Sequence, residues 1–582
     1  MRANRSVPKQ RVARGTTDGD GEKLQRKGNR SLLFFRPVFK SRWNCVPPAA
    51  QLEFLMSELA QLATLDPFAG MTASNPGAVQ NLLAGKWMKG SAIRDDVVDP
   101  MNGDAFLRVP DTRDHEGYVQ SLRRCPKTGL HNPLKNPERY VMLGRVCARA
   151  AALLAQKDVG DYFTKLIQRV MPKSWQQCQG EVIVTRIFLQ NFSGDGVRFL
   201  ARGFSNPGDH SGQESRGYRW PFGPVAVIAP FNFPLEIPAL QVLGALFMGN
   251  RPLVKVDSKV SVVFEQFLRM LIHCGLPAGD IDLIHCRGSE MGKLLSAARD
   301  DLKLVQFTGS SQVAERIANQ FNGAVRLEDA GFDWKVIGPD FAPGWLDYVA
   351  WQCDQDAYNA TGQKCSAQSI LFVHRNWSGE LLPRLERLAA RRKLDDLTLG
   401  PVLSWTTEQM LSHVDAVKTL PGAELLFGGK PLENHSIPER YGAMLPTAVR
   451  VPLDALRGEH FDLVTTELFG PFQVVVEYDD DDLVRVLEVL ERMSQHLTAA
   501  VVSADVEFQN KVLGATINGT TYCGMRARTT GAPQNHWFGP CGDPRAAGIG
   551  TPEAIVHTWS GHREIIHDQG PLPESWSTPP SA

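Results

Sequence analysis

Residues 224–256 read PVAVIAPFNFPLEIPALQVLGALFMGNRPLVKV. The run from Pro224 to Pro230 is short, apolar and bounded by proline, which marks a strand buried on both faces. Residues 235–248 are long and apolar enough for an internal helix, and 252–256 reads as the next strand. The alternation continues outward. It predicts helices over 259–274, 289–298 and 311–321, and strands over 281–286 and 302–307, with Val313, Ile317 and Phe321 on one face of the last helix. Strands alternating with such helices predict a parallel sheet covered on both sides. Right-handed crossovers then bring the strand ends to one edge, where ligands bind.

A second alternating block lies downstream, with strands expected over 334–337, 369–373, 447–451, 472–476 and 497–503, and helices over 380–393, 406–420, 483–494 and 505–513. The fold class is therefore α/β. Upstream, 136–205 is helical in pattern, and 204–222 (SNPGDHSGQESRGYRWPFG) interrupts it with Gly, Ser and Pro. The ordered body is expected to begin near Asn75, and the C-terminal stretch reads as loop.

Composition narrows the function classes. The chain has 582 residues, 43% hydrophobic and 22% charged, as in ordinary globular proteins and unlike disordered or fibrous ones. Lys+Arg and Asp+Glu are both 63, so there is no excess positive charge for coating nucleic acid. No membrane span is expected, because the most apolar stretch, 222–248, contains Asn232, Glu236 and the prolines 224, 230, 234 and 238. Residues 1–50 carry 12 basic and 3 acidic side chains, a local charge of +9 that leaves −9 for the rest. An Arg-rich, acid-poor start is the composition of a mitochondrial (matrix) presequence; a basic tail on a cytoplasmic protein is the alternative. The 10 cysteines include no Cys-x-x-Cys pair, so no metal site is expected and a reducing compartment is.

Four short stretches could carry chemistry. Phe307-Thr-Gly309-Ser310 falls between a predicted strand and a predicted helix, where a glycine and free amides suit a pyrophosphate. It also suits an ordinary turn. Cys365 lies in Thr-Gly-Gln-Lys-Cys-Ser-Ala beside Lys364, a setting that favours thiolate; the other cysteines read as packing residues. Glu328 ends a strand-like run and could serve as a general base or be a solvated loop carboxylate. Asn232, between Phe231 and Phe233, could be an oxyanion donor or the start of an Asx-turn.

Their order is more telling than any one of them. Pro-Phe-Asn232-Phe-Pro, Lys255, Phe-Thr-Gly-Ser310, Leu-Glu328-x-x-Gly, Gly-Gln-Lys-Cys365 and Glu467-Leu-Phe469-Gly-Pro follow one another in a series that resembles the aldehyde dehydrogenase superfamily over roughly residues 75–560. Gly362-Gln-Lys-Cys-Ser-Ala and Thr530-Gly-Ala532 look like the delta-1-pyrroline-5-carboxylate dehydrogenases. Tyr218-Arg-Trp-Pro, Leu327-Glu-Asp-Ala-Gly-Phe-Asp-Trp-Lys and Ala532-Pro-Gln-Asn-His-Trp-Phe-Gly-Pro look like their plant-type branch.

The resemblance implies oxidation of L-glutamate gamma-semialdehyde to glutamate with NAD, in proline catabolism. It implies a Rossmann-type cofactor domain, an α/β catalytic domain and a small oligomerisation hairpin. The boundaries expected are an N-terminal extension over 1–65, a cofactor domain over 66–330 with the hairpin at about 204–222, a catalytic domain over 331–520, and a substrate-anchor and oligomerisation segment over 521–582. Cys365 would be the nucleophile, Asn232 and the Cys365 amide the oxyanion donors, and Glu328 the base for thioester hydrolysis. Phe231, Lys255, Ser258, Gly309, Ser310, Glu467 and Phe469 would bind cofactor; Ser366, Gly531 and Ala532 would bind substrate. A homo-oligomer is implied, with no nucleic-acid or membrane partner.

Three departures from the family pattern stand out. Ser258 stands where NAD-preferring relatives carry an acid, which leaves some NADP use open. Ala330 replaces the first glycine of Glu-x-Gly-Gly. Phe332-Asp333 replaces Lys-Asn. The alternatives are an aldehyde dehydrogenase for another small aldehyde and a non-catalytic homologue; turnover of an aldehyde separates the latter.

Overall fold

The computed structural model describes residues 58–90, 92–329 and 331–581. The presequence reading of the first 50 residues, Cys45 and the substitution at Ala330 lie outside the described residues.

Numbered along the chain, the strands begin with β1 (Gly77–Ala78), β2 (Asn81–Leu83), β3 (Lys86–Met88), β4 (Leu107–Arg108), β5 (Phe204–Pro207) and β6 (Gln213–Pro221). The decisive stretch supplies β7 (Pro224–Ala229) and β8 (Arg251–Val256), followed by β9 (Asp282–Leu283), β10 (Leu304–Gly309) and β11 (Val325–Asp329). Together with β2 and β3 these form a seven-stranded sheet in the order β11-β10-β7-β8-β9-β2-β3. The pairs β11–β10, β10–β7, β7–β8 and β8–β9 are parallel. The apolar run of β7 is explained by its two faces. Val225, Val227 and Ala229 enter one core cluster, while Ala226 and Ile228 enter another. Successive side chains of a strand point to opposite faces, so a strand covered by helices on both sides must be apolar throughout.

The helix Glu236–Phe247 is buried at every position, which is why it shows no polar face. A Cβ at Gly244 would lie 2.9 Å from Trp559 Nε1, so this glycine lets the helix Pro552–Trp559 pack closely against it.

The second sheet comprises β12 (Asp333–Ile337), β13 (Gln368–His374), β14 (Glu424–Phe427), β15 (Thr447–Arg450), β16 (Phe472–Tyr478), β17 (Thr498–Val502) and β18 (Thr520–Cys523). Their order is β14-β15-β16-β13-β12-β17-β18, and only β14 runs antiparallel to its neighbour. Trp334, Ile370, Val474 and Ala499 face one core, and Ile337, Leu371, Val475 and Ala500 face the other.

The structure departs from the sequence reading in several places. The expected extension includes residues 58–65, but Leu62 is buried and Thr64 N–H donates to Gln266 Oε1 at 3.0 Å. The run 281–286 forms only the short β9, because His285 N–H leaves the ladder to bond Asn81 Oδ1 at 2.8 Å. The C-terminal stretch contains the helix Pro552–Trp559 and β19 (Ser560–Asp568). β19 pairs antiparallel with β6 along nine residues, so the expected hairpin of β5 and β6 is the rest of a three-stranded sheet. The sequence GHREIIHD has too few apolar residues to signal a strand; backbone pairing with β6 supplies what its pattern lacks.

Candidate active site

In the first sheet the chain runs from β7 to β8 and β9 on one side, then returns to place β10 and β11 on the other. The crevice between β7 and β10 is thus a topological switch point, the place where open α/β sheets bind ligands. A cavity of about 680 Å3 lies there, lined by residues 228–231 at the end of β7, Lys255 and Asp257 at the end of β8, and residues 307–310 at the end of β10. A Cβ at Gly309 would lie 2.7 Å from the Phe307 ring, so only glycine fits this turn. The helix Ser311–Gln320 begins without a side-chain cap at Ser310, leaving amides at its start for an anion.

A second cavity of about 440 Å3 shares Phe231, Gly309 and Ser310 with the first. It gathers Asn232, Glu328, Cys365, Glu467 and Phe469 from across the sequence. Two strand arrangements cause the convergence. Glu328 lies opposite Thr308 in the β10–β11 register, so the base candidate and the Gly309 turn leave one sheet edge together. Cys365 precedes β13 and Glu467 precedes β16, so both come from the facing edge of the second sheet. At Gly331, which joins the sheets, a Cβ would lie 2.5 Å from the Cys365 carbonyl oxygen.

The loop that presents Cys365 is strained and heavily braced. Ala360, Thr361 and Gly362 have φ of 53°, 58° and 71°. A left-handed β-branched residue such as Thr361 costs about 1–3 kcal/mol and persists only where its surroundings fix it. Thr361 Oγ1 accepts Gly400 N–H at 2.7 Å. The buried Gln363 donates to Pro401 O at 3.0 Å and accepts Leu403 N–H at 2.7 Å. Gln177 donates to Asn359 Oδ1 at 2.7 Å and accepts Ala360 N–H at 3.1 Å.

The electrostatics suit acid–base chemistry. Glu328 is 3% exposed, and neither carboxylate oxygen has a hydrogen-bond partner among the described residues. Burial pushes it up to about 7. Burial and the nearby carboxylates of Glu328, Asp333 and Glu467 hold the Cys365 thiol well above its usual range, which corrects the thiolate-favouring setting expected from the adjacent Lys364. Burial and Asp333 also raise Glu467. No Lys or Arg lines this cavity among the described residues. Phe231 and Phe469 meet edge to face at 5.9 Å in its wall, and beside these carboxylates the cavity would suit a planar, positively charged ring.

Asn232 follows β7 and is buried, with Oδ1 unpartnered among the described residues. Its turn is held by a pair that no local sequence signal announces. Lys173 Nζ lies 2.8 Å from Glu181 Oε2, donates to Asn232 O at 3.2 Å and sits 4.3 Å from the centre of the Phe233 ring. Glu181 Oε1 accepts the N–H groups of Leu235 and Glu236 at 2.7 and 3.1 Å.

A third cavity of about 210 Å3 shares Glu328 and Cys365 with the second and adds Ser366, Gly531 and Ala532. Glu236, Lys364 and Phe538 also line it; sequence reasoning singled out none of them as site residues. The 529–532 loop is fastened from behind. Asp356 accepts Thr529 N–H and the Thr530 hydroxyl, both at 2.9 Å, and pairs with fully buried Lys335 at 2.7 Å.

Two further expectations are corrected. Ser258 does not line the cofactor cavity. It is buried, donates to Cys286 O at 3.2 Å and accepts from Arg94 Nη1 at 2.9 Å; the neighbouring Asp257 faces the cavity. Cys523 and Cys541 are exposed and so are not packing residues, whereas Cys125, Cys147, Cys178, Cys274, Cys286 and Cys353 are buried.

Comparison with known proteins accords with this geometry. The model of the "Aldehyde dehydrogenase family" matches residues 87–551. Delta-1-pyrroline-5-carboxylate dehydrogenase 12A1, mitochondrial, of Arabidopsis thaliana is 58% identical over 534 residues, covering 90% of this chain and 95% of that protein. A probable aldehyde dehydrogenase of Linum usitatissimum is 58% identical over 524 residues, covering 88% and 94%. The fold recurs in betaine aldehyde dehydrogenase of Staphylococcus aureus, solved with NAD+. That match has a TM-score of 0.74 and 19% identity, and covers 90% of this chain and 98% of that one. With Cys365, Glu328 and Asn232 on one cavity and this degree of likeness along most of its length, the chain belongs to the aldehyde dehydrogenase family.

Proposed function

We infer that the protein oxidises L-glutamate gamma-semialdehyde to L-glutamate with a nicotinamide cofactor, the step that ends proline catabolism. The observation that carries this reading is the shared lining of the three cavities. Phe231, Gly309 and Ser310 join the first to the second, and Cys365 and Glu328 join the second to the third. The cofactor cavity, the nucleophile and a small substrate pocket thus adjoin one another. The identity to the Arabidopsis enzyme supports the choice of substrate.

Cys365 gives its thiol proton to Glu328 and attacks the aldehyde carbon. The oxyanion of the resulting thiohemiacetal is held by the Asn232 side-chain amide and the Cys365 N–H, which has no acceptor among the described residues. A bound oxidised nicotinamide supplies the hydride acceptor. Loss of hydride leaves a thioester on Cys365. Glu328, having returned its proton to solvent, takes one from water, and the hydroxyl attack releases the acid and restores the thiol. Lys255 would contact the adenosine ribose, the Gly309-Ser310 turn the pyrophosphate, and Glu467 with Phe469 the nicotinamide ribose. Ser366 and the amides of Gly531 and Ala532 would take the substrate carboxylate.

We assign the first sheet to cofactor binding and the second to the chemistry. NAD is the preferred cofactor, because the Asp257 carboxylate in the adenosine cavity opposes a 2′-phosphate. Asp257→Ser should raise kcat/KM for NADP relative to NAD by about 10-fold, or ~1.4 kcal/mol; an unchanged ratio would contradict this. The basic residues 1–50 act as a mitochondrial presequence, as the name of the Arabidopsis relative suggests. The sheet of β5, β6 and β19 carries exposed Phe204 and Ile566 and is the proposed surface for a homo-oligomer.

Substrate assignment is tested by NADH formation with glutamate semialdehyde beside short aliphatic aldehydes. The reading expects strong preference for the semialdehyde. Equal turnover of propanal would keep the mechanism and overturn the substrate.

A further inference from the structure

The third cavity has an ionic inventory that the mechanism leaves unused. Four charged side chains besides Glu328 line it: Lys173, Glu181, Glu236 and Lys364. Lys173 and Glu181 neutralise each other at 2.8 Å and spend their remaining bonds on the backbone of Asn232, Leu235 and Glu236. Lys364 and Glu236 are left with no ion pair or side-chain hydrogen bond among the described residues.

Glu236 is the more telling of the two. It is 8% exposed and is the sole ionisable residue of the fully buried helix Glu236–Phe247, whose one other polar side chain is Gln241. A carboxyl taken out of water with no partner is destabilising, and apart from Gln241 the rest of this helix is apolar. Its place in the first turn favours the charged form once a cation is near. Without one, burial and the Glu181 charge push it up to about 8.

We propose that Glu236 is the specificity-determining residue that binds the α-ammonium group of an amino-acid aldehyde, while Lys364 and the 531–532 amides take its carboxylate. The proposal rests on the substrate reading above and adds to it the residue that distinguishes an amino-acid aldehyde from its deaminated counterpart. One free cation and one free anion in a cavity of about 210 Å3 complement a small zwitterion and not a simple carboxylate.

The test compares L-glutamate semialdehyde with 5-oxopentanoate, the same chain without the amino group, in wild type and Glu236→Gln. The proposal expects E236Q to lose about 10-fold or more in kcat/KM for the amino substrate through KM, with 5-oxopentanoate changed by less than about 2-fold, since a buried charge-assisted contact is selectively removed. A parallel fall for both substrates, as a structural or proton-transfer role would give, overturns it, and so does no fall for either. Wild-type affinity for L-glutamate against glutarate tests the same point without a variant, and equal or weaker binding of glutamate contradicts the proposal. A wild type that oxidises 5-oxopentanoate but not the semialdehyde overturns the substrate reading itself, which is a separate and visible result.

Discussion

Glu328 shows how much burial decides at the scale of a single residue. Any carboxylate can accept a proton, but this one is 3% exposed, has no hydrogen-bond partner among the described residues and is pushed up to about 7. A base poised near working pH combines adequate strength with the right protonation state. Because the ionised form is the base, thioester hydrolysis should be slow below about pH 7 and rise to a plateau above it. The profile is read from kcat at saturating aldehyde, and Glu328→Gln should flatten it. A wild-type profile with no inflection near 7 would contradict the role. The types of the key residues were legible in the sequence, but their electrostatics were not. Ser258 illustrates the limit: one residue's difference in position along a strand end turns its hydroxyl to Arg94 and presents Asp257 to the cofactor cavity.

At the scale of elements, the strand–helix alternation was readable because sheets covered on both faces need continuous apolar runs, as in β7 and residues 499–502 of β17. β19 and the Lys173–Glu181 brace were not, because each depends on partners far away in sequence. That brace fixes the turn between β7 and the helix Glu236–Phe247, and with it the oxyanion donor Asn232. Lys173→Met should leave Glu181 charged and unpaired in the interior, at a cost of about 3–5 kcal/mol. The expected result is a clearly lower thermal midpoint together with reduced kcat. A variant as stable and active as wild type would show that the turn holds itself.

At the scale of the whole molecule, Gly331 joins the two sheets, and Cys365 and Glu328 line one cavity at that junction. The third sheet stands apart from this chemistry, and the outer edge of β5 is unpaired among the described residues. Deleting residues 560–582 removes β19 and should shift the protein to a smaller species on a sizing column; unchanged assembly would place the interface elsewhere. The central claim is that Cys365 carries the substrate as a thioester that Glu328 hydrolyses. It is tested most directly by stopped-flow measurement of NADH when Glu328→Gln is mixed with NAD and glutamate semialdehyde. The account predicts a burst of about one NADH per site, slowed because Glu328 also takes the thiol proton, followed by near-zero turnover, and no burst in Cys365→Ala. Steady turnover of Glu328→Gln at the wild-type rate, or a burst that survives loss of Cys365, would contradict it.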